Sequence, residues 1–173
     1  MTDYGTFIAP DTVRFQRVLP GPIERVWDFL TKSEHLPTWL GEGEIESRVG
    51  SRIELRSIGD EDRPGRVVRG EVKEYEPPRL LKYSWIVEIP DKGSLESVVT
   101  FALAPQGEQV LLILTHQGVL PDFRALTLAG WHGLLDSLGK SLGGQAPGPF
   151  GQAFERVLPE YHRQVGGLDK PPI

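Results

Sequence analysis

The sequence predicts an α+β fold in which an antiparallel sheet is covered on one face by a long helix near the C-terminus. Two observations carry this. Six strand-like segments follow one another between residues 42 and 117, separated only by short Gly- and Pro-containing turns. Loops that short join antiparallel neighbours, whereas a parallel pair needs a crossover of a dozen or more residues. After them, Leu128, Trp131, Leu135, Leu138 and Leu142 recur at alternating spacings of 3 and 4, the stripe of an amphipathic helix. A sheet with one apolar face must bury it, and that helix can cover it.

The elements read in order as follows. A first strand is expected over Thr12–Leu19, between Pro10 and Pro20-Gly21-Pro22. Pro22 can occupy the first turn of a helix, where its missing N–H costs nothing. Ile23, Val26, Trp27 and Leu30 then mark one face of that helix. Ser33 is a candidate cap for a second short helix carrying Leu36, Trp39 and Leu40. Strands follow around Ile45–Val49, at Ile53 and Leu55, over Val67–Tyr75, and after Pro77-Pro78. In that fourth one Leu81, Tyr83, Trp85, Val87 and Ile89 share a face. Asp91-Lys-Gly93 turns into Leu95, Val99, Phe101 and Leu103, and Pro105-Gln-Gly107 turns into Val110–Gln117. The long helix begins near Asp122 and stops at Gly143-Gly144. Gly130 and Gly133 weaken it by about 1 kcal/mol each, a cost that close approach of another element would explain. Beyond it, Phe150, Phe154, Val157, Leu158 and Tyr161 cluster on one side of a further helix near 150–163, with disorder expected near 168–173.

The chain has 173 residues, the size of one domain, with 39% hydrophobic and 25% charged residues. Its net charge of -5 argues against a nucleic-acid partner. Cysteine and asparagine are absent, which excludes disulfides, thiolate metal sites, cysteine nucleophiles and N-glycosylation. The opening Met1-Thr-Asp-Tyr-Gly has neither a basic nor an apolar stretch, so no signal peptide is expected. The longest apolar run, Val110–Leu114, is far too short to span a membrane. A cytoplasmic location is the expectation.

Several ordered segments carry a resemblance. They are Pro22-Ile-Glu-Arg-Val-Trp27, Leu36-Pro-Thr-Trp39, Gly50-Ser-Arg-Ile-Glu-Leu55, Gly70-Glu-Val72, Glu76-Pro-Pro-Arg-Leu-Leu-Lys-Tyr-Ser-Trp85, Val99-Thr-Phe101, Leu114-Thr-His116, and Gly130-Trp131 with Leu135-Asp136. Over residues 12–143 the chain resembles the heat shock protein 90 ATPase activator homologue-like family of the START-like (SRPBCC) superfamily. The resemblance implies the helix-grip fold, a curved antiparallel sheet wrapped around a long C-terminal helix with an apolar cavity between them. It divides the chain into a lead-in at 1–11, a helix-grip domain at 12–143 and an extension at 144–173. It implies no single activity, since the superfamily holds carriers, aromatase/cyclases and co-chaperone domains.

The candidate chemistry is sparse. Gly139-Lys140-Ser141 resembles the end of a phosphate-binding loop, but Leu134 stands where the pattern needs glycine, and the tripeptide ends a helix. His35, His116, His132 and His162 form no metal-binding motif, so no metal and no cofactor are expected. His132 and Asp136 can pair across one helical turn, more simply as a surface pair than as an acid–base couple. Arg63, Arg66 and Arg69 are dispersed among Glu61, Asp62 and Glu71 and read as a solvated loop and strand edge. His116 shares a strand face with Val110, Leu112 and Leu114; if that face is internal, it is a structural hydrogen-bonding group, a ligand contact or an acid–base group. Trp39, Tyr83, Trp85, Phe101, Trp131 and Leu135 with His116 form either ordinary core or the lining of an apolar pocket.

These residues support first a non-catalytic binding module for a hydrophobic or aromatic small molecule, with no catalytic residues. An aromatase/cyclase using His116 or Tyr83, and a co-chaperone-like domain with a chaperone partner, are the alternatives. Leu111 and Ile113 lie opposite Leu112 and Leu114, so the strand is apolar on both faces. Its outer set calls for a cover: the C-terminal extension folded back, or the second chain of a homodimer.

Overall fold

A computed structural model describes residues 2–62 and 64–166. The strands are β1 (Thr6–Ala9), β2 (Thr12–Pro20), β3 (Gly41–Ile45), β4 (Arg52–Ser57), β5 (Val67–Glu76), β6 (Leu80–Ile89), β7 (Gly93–Gln106) and β8 (Gln109–Gln117). The helices are α1 (Ile23–Thr31), α2 (Arg124–Leu142) and α3 (Phe150–Gly166), with one-turn 3-10 helices at Leu36–Thr38 and Pro121–Phe123. All eight strands form one antiparallel sheet in the order β1-β2-β8-β7-β6-β5-β4-β3. The expected α+β class holds: a curved antiparallel sheet with a long C-terminal helix against its inner face.

Register explains the core. Val13, His116, Val99, Tyr83 and Val72 lie opposite one another in a row across β2, β8, β7, β6 and β5. Phe15, Leu114, Phe101 and Leu81 form the adjoining row. All nine are buried, and full burial of each large apolar side chain is worth roughly 1.5–3 kcal/mol. Leu128, Trp131, Leu135 and Leu138 of α2 are buried with them.

The structure departs from the sequence reading at several points. Residues 6–9, expected as lead-in, pair with β2 as an edge strand. Ser33 caps no helix: the backbone N–H groups of His35 and Leu36 both donate to the Lys32 carbonyl, and only the 3-10 turn at Leu36–Thr38 follows. Leu36, Trp39 and Leu40 are nonetheless buried as expected. Pro22 stands just before α1 rather than in its first turn.

The C-terminal extension forms α3, slightly longer than expected, and docks on α2 through Phe154, Val157, Tyr161 and Val165. Helix α2 is thereby buried on two sides. A Cβ on Gly133 would sit 3.3 Å from the Phe150 ring, so close approach accounts for that glycine. It does not account for Gly130, beside which there is open space. Because α3 spends its apolar face on α2, it does not cover the outer face of β8. There Leu111 lies between Val18 and Ala104, and Ile113 between Gln16 and Ala102, and these flanking strands leave both half-buried. The stretch 168–173 lies outside the described residues, as does Arg63. Among the described residues no helix is long and apolar enough to cross a membrane.

Candidate functional site

The β6–β7 hairpin and the segment leading into α2 enclose a groove of about 280 Å³. Alternation sends Trp85, Val87 and Ile89 of β6 and Leu95 and Ser97 of β7 to the same face, with Trp85 directly opposite Ser97. His116 closes the groove from β8, and Val119, Leu120, Phe123 and Thr127 form the opposite wall. That wall is fastened to the sheet by the N–H groups of Gly118 and Val119, which donate to the Asp11 carbonyl. Exposed Arg66 and Glu96 lie at the rim. Two larger depressions, of about 510 and 460 Å³, run along β3 and β4. The first is lined mainly by the charged side chains of Glu42, Glu44, Glu46, Arg52, Glu54 and Arg56. The smaller groove combines Trp85 and Phe123 with aliphatic Val87, Ile89, Leu95, Val119 and Leu120 and a few convergent polar groups, the composition usual in small-molecule pockets.

The groove's polar groups are organised. The Trp131 indole N–H donates to Nδ1 of His116 at 2.9 Å. With Nδ1 accepting, the neutral ring carries its proton on Nε2 and donates to Ser97 Oγ at 2.7 Å. Ser97 in turn donates to the Trp85 carbonyl at 3.0 Å. Burial pulls the His116 pKa down to about 4. This histidine is neutral at pH 7, with both ring nitrogens already engaged.

The residues singled out from the sequence divide by depth. Trp85, half-buried, and His116 line the groove. Trp131 packs behind both, its ring 5.2 Å from Trp85 and 6.0 Å from His116. Phe101 lies 5.9 Å from Trp131. Tyr83 is fully buried one ring behind Trp85, nearly parallel to it at 6.4 Å. Trp39 and Leu135 belong to the packed interior. Trp39 meets Phe101 edge to face at 6.0 Å, and its indole N–H donates to the Phe29 carbonyl at 2.7 Å. The reason is that α1 and the 3-10 turn pack against β7, β8 and α2, filling one end of the space between sheet and helix. Ser97, Val119, Leu120, Phe123 and Thr127 were not anticipated. Ser97 shares its strand parity with Phe101, so alternation alone could have found it.

His132 and Asp136 do not form a surface pair. His132 is buried under α3, its Nε2 3.7 Å from Asp136 Oδ2. Tyr161 Oη accepts the Gly5 N–H at 3.0 Å and donates its own proton to His132 Nδ1 at 2.8 Å. Buried Arg17 lies 3.3 Å from Asp136, which also receives Arg156 at 3.0 Å. Burial pulls His132 down to about 4, against the opposing pull of Asp136, and pushes the Tyr161 phenol up. This network clasps α2, α3 and the N-terminal segment together. Among the described residues no group of three His, Asp or Glu could hold a metal ion.

Comparison with known proteins places this geometry. The family model described as Activator of Hsp90 ATPase homolog 1-like protein matches residues 20–143. The solution structure of the protein encoded by gene BPP1335 from Bordetella parapertussis is 32% identical, with a TM-score of 0.72 over 95% of this chain and 93% of that one. The crystal structure of CalU16 from Micromonospora echinospora is 24% identical, with a TM-score of 0.71 over 89% of this chain and 88% of that one. DynU16, from the dynemicin biosynthetic locus, is 24% identical with a TM-score of 0.68, over 80% of this chain and 50% of its own. No curated protein sequence matches the chain.

Proposed function

The chain belongs to the Activator of Hsp90 ATPase homolog 1-like family, and from that premise we propose that it is a non-catalytic binding module for a hydrophobic or aromatic small molecule held beside Trp85. The observation that carries this reading is the groove itself. Its walls combine aromatic and aliphatic side chains with a few polar groups, exposed Arg66 and Glu96 stand at its rim, and its volume of about 280 Å³ stands at the small end of ligand pockets. A flat apolar body there gains about 25 cal/mol for each Å² removed from water, while Ser97 and the Trp85 indole edge offer polar contacts. His116 supports binding rather than proton transfer, because both its nitrogens are engaged and burial makes it a weak base. A cyclase in the same groove would need a group poised near the working pH.

The test is a fluorescence titration of the full chain with a panel of two-ring aromatics, alongside native mass spectrometry of small molecules that co-purify with it. Binding should shift tryptophan emission saturably in the wild type and be weakened at least tenfold by Trp85→Ala. A panel that leaves emission unchanged, with no co-purifying ligand, would reject the reading.

A further inference from the structure

We infer that the Tyr83 hydroxyl is the polar anchor of a ligand site that continues the groove inward past Trp85, selecting a flat apolar molecule that ends in a neutral hydrogen-bond acceptor such as an aryl ketone. The inference rests on the binding role proposed above and specifies the ligand chemistry.

The first ground is an imbalance. Tyr83 is fully buried, and its hydroxyl has no hydrogen-bond partner among the described residues. The other aromatic polar groups around the groove and in the interior behind it are served: Trp39 by the Phe29 carbonyl, Trp131 by His116, His116 by Ser97, and Tyr161 by Gly5 and His132. The remaining unpartnered buried side-chain atoms among the described residues are guanidinium nitrogens of Arg14 and Arg17, and Arg17 has Asp136 beside it. An unpaired buried hydroxyl costs stability, and phenylalanine at the same place would not incur that cost. A binding partner for the hydroxyl offsets it.

The second ground is position. Trp85 lines the groove and Tyr83 does not, yet their rings lie 6.4 Å apart and 20° from parallel. A molecule moving inward past Trp85 meets the rings packed behind it, Trp131 at 5.2 Å and Tyr83 at 6.4 Å. Trp85 is also the most exposed of the four tryptophans. It is half-buried, and its indole N–H has no acceptor among the described residues, unlike those of Trp39 and Trp131. A rotamer change at Trp85 would join the groove to the ring faces of Tyr83, Phe101 and Trp131.

The third ground is the sense of the hydrogen bond. A phenol this deeply buried keeps its proton, so it offers an O–H and takes an acceptor. A carboxylate would lose its hydration with no cation beside it, whereas a carbonyl loses far less.

The test pairs 2-acetylnaphthalene with 2-ethylnaphthalene, nearly the same shape with and without the carbonyl, on the full chain. The wild type should bind the ketone about tenfold more tightly. Tyr83→Phe should abolish that preference, leave 2-ethylnaphthalene affinity unchanged, and melt at or above the wild-type temperature. Independently of any variant, nuclear Overhauser contacts should appear between the ketone methyl and the Tyr83 ring. If both compounds bind equally to the wild type, or the preference survives Tyr83→Phe, the anchor is wrong while the groove reading stands. A Tyr83→Phe protein that melts lower and shows an unaltered ligand preference would assign the hydroxyl to an internal water and overturn the anchor. If neither compound binds, the groove reading fails and takes the anchor with it.

Discussion

Trp131 on α2 donates its indole proton to Nδ1 of His116 on β8 at 2.9 Å, and this bond decides which tautomer the imidazole adopts. Nitrogen-15 shifts of His116 should show a neutral ring protonated on Nε2. They should stay constant from pH 8 down to about 5, because the pKa is lowered to about 4. Titration near 6.5 would contradict the arrangement.

Stability should follow the same chemistry. His116 and His132 both have folded pKa values near 4, below the ordinary 6.5. Between those values the unfolded chain binds more protons, so stability is full above pH 6.5 and falls as pH drops towards 4. The loss is on the order of a few kcal/mol for the two together. Urea midpoints at pH 7.5, 6 and 5 should decline in that order. A flat profile over this range would show that neither histidine is buried in its neutral form.

Tyr161 joins the two ends of the chain. Tyr161→Phe leaves the Gly5 N–H and His132 Nδ1 without their partner, and an unsatisfied buried group costs about 1–3 kcal/mol. Chemical denaturation should register that loss, with hydrogen exchange speeding up at the Gly5 amide. An unchanged midpoint would mean that the clasp is not formed in solution.

Arg17 and Asp136 should respond asymmetrically. The Arg17 side chain is buried and depends chiefly on Asp136, since Asp3 is 3.9 Å away and exposed. Asp136→Ala strands that charge and should cost about 3–5 kcal/mol, whereas Arg17→Met combined with Asp136→Leu should recover most of it. Equal stability of the single and double variants would argue against a buried pair.

Removing residues 145–173 strips α3 from α2 and uncovers His132 and Gly133, which face Tyr161 and Phe150. The truncated protein should melt at lower temperature and bind more of an apolar dye. A truncation that melts unchanged and binds no additional dye would show that α3 is not docked.

Periodicity made much of this fold readable. Leu128, Trp131, Leu135 and Leu138 announce α2 because a helix that buries a face must repeat near 3.6 residues. The alternation of Leu81, Tyr83 and Trp85 fixes which face of β6 is internal. Short or distant features left no such trace. Thr6–Ala9 is too brief to show a period, and its pairing with β2 is what makes it a strand. The burial of His132 depends on Tyr161, 29 residues further along, and no local pattern reports a partner that far away. Trp39 and Trp85 could not be separated by type, because a packed interior and a pocket wall use the same aromatic residues. What separates them is α1 and its following turn, which fill one end of the space and leave the other open.

The pairing of β2 with β8 also orders events in time. Thr12 meets Gln117 and Pro20 meets Gln109, so the second strand waits for the eighth before it has a long neighbour. Gly5 waits further still, for Tyr161 and Gln164. During synthesis the hairpins of β5 to β8 can close as they emerge, while the short β1–β2 hairpin has only itself to pair with until β8 is made. Closing loops of that length is entropically slow. On that ground the N-terminal hairpin is expected to dock late on the sheet, with the final helix as the latch that holds it.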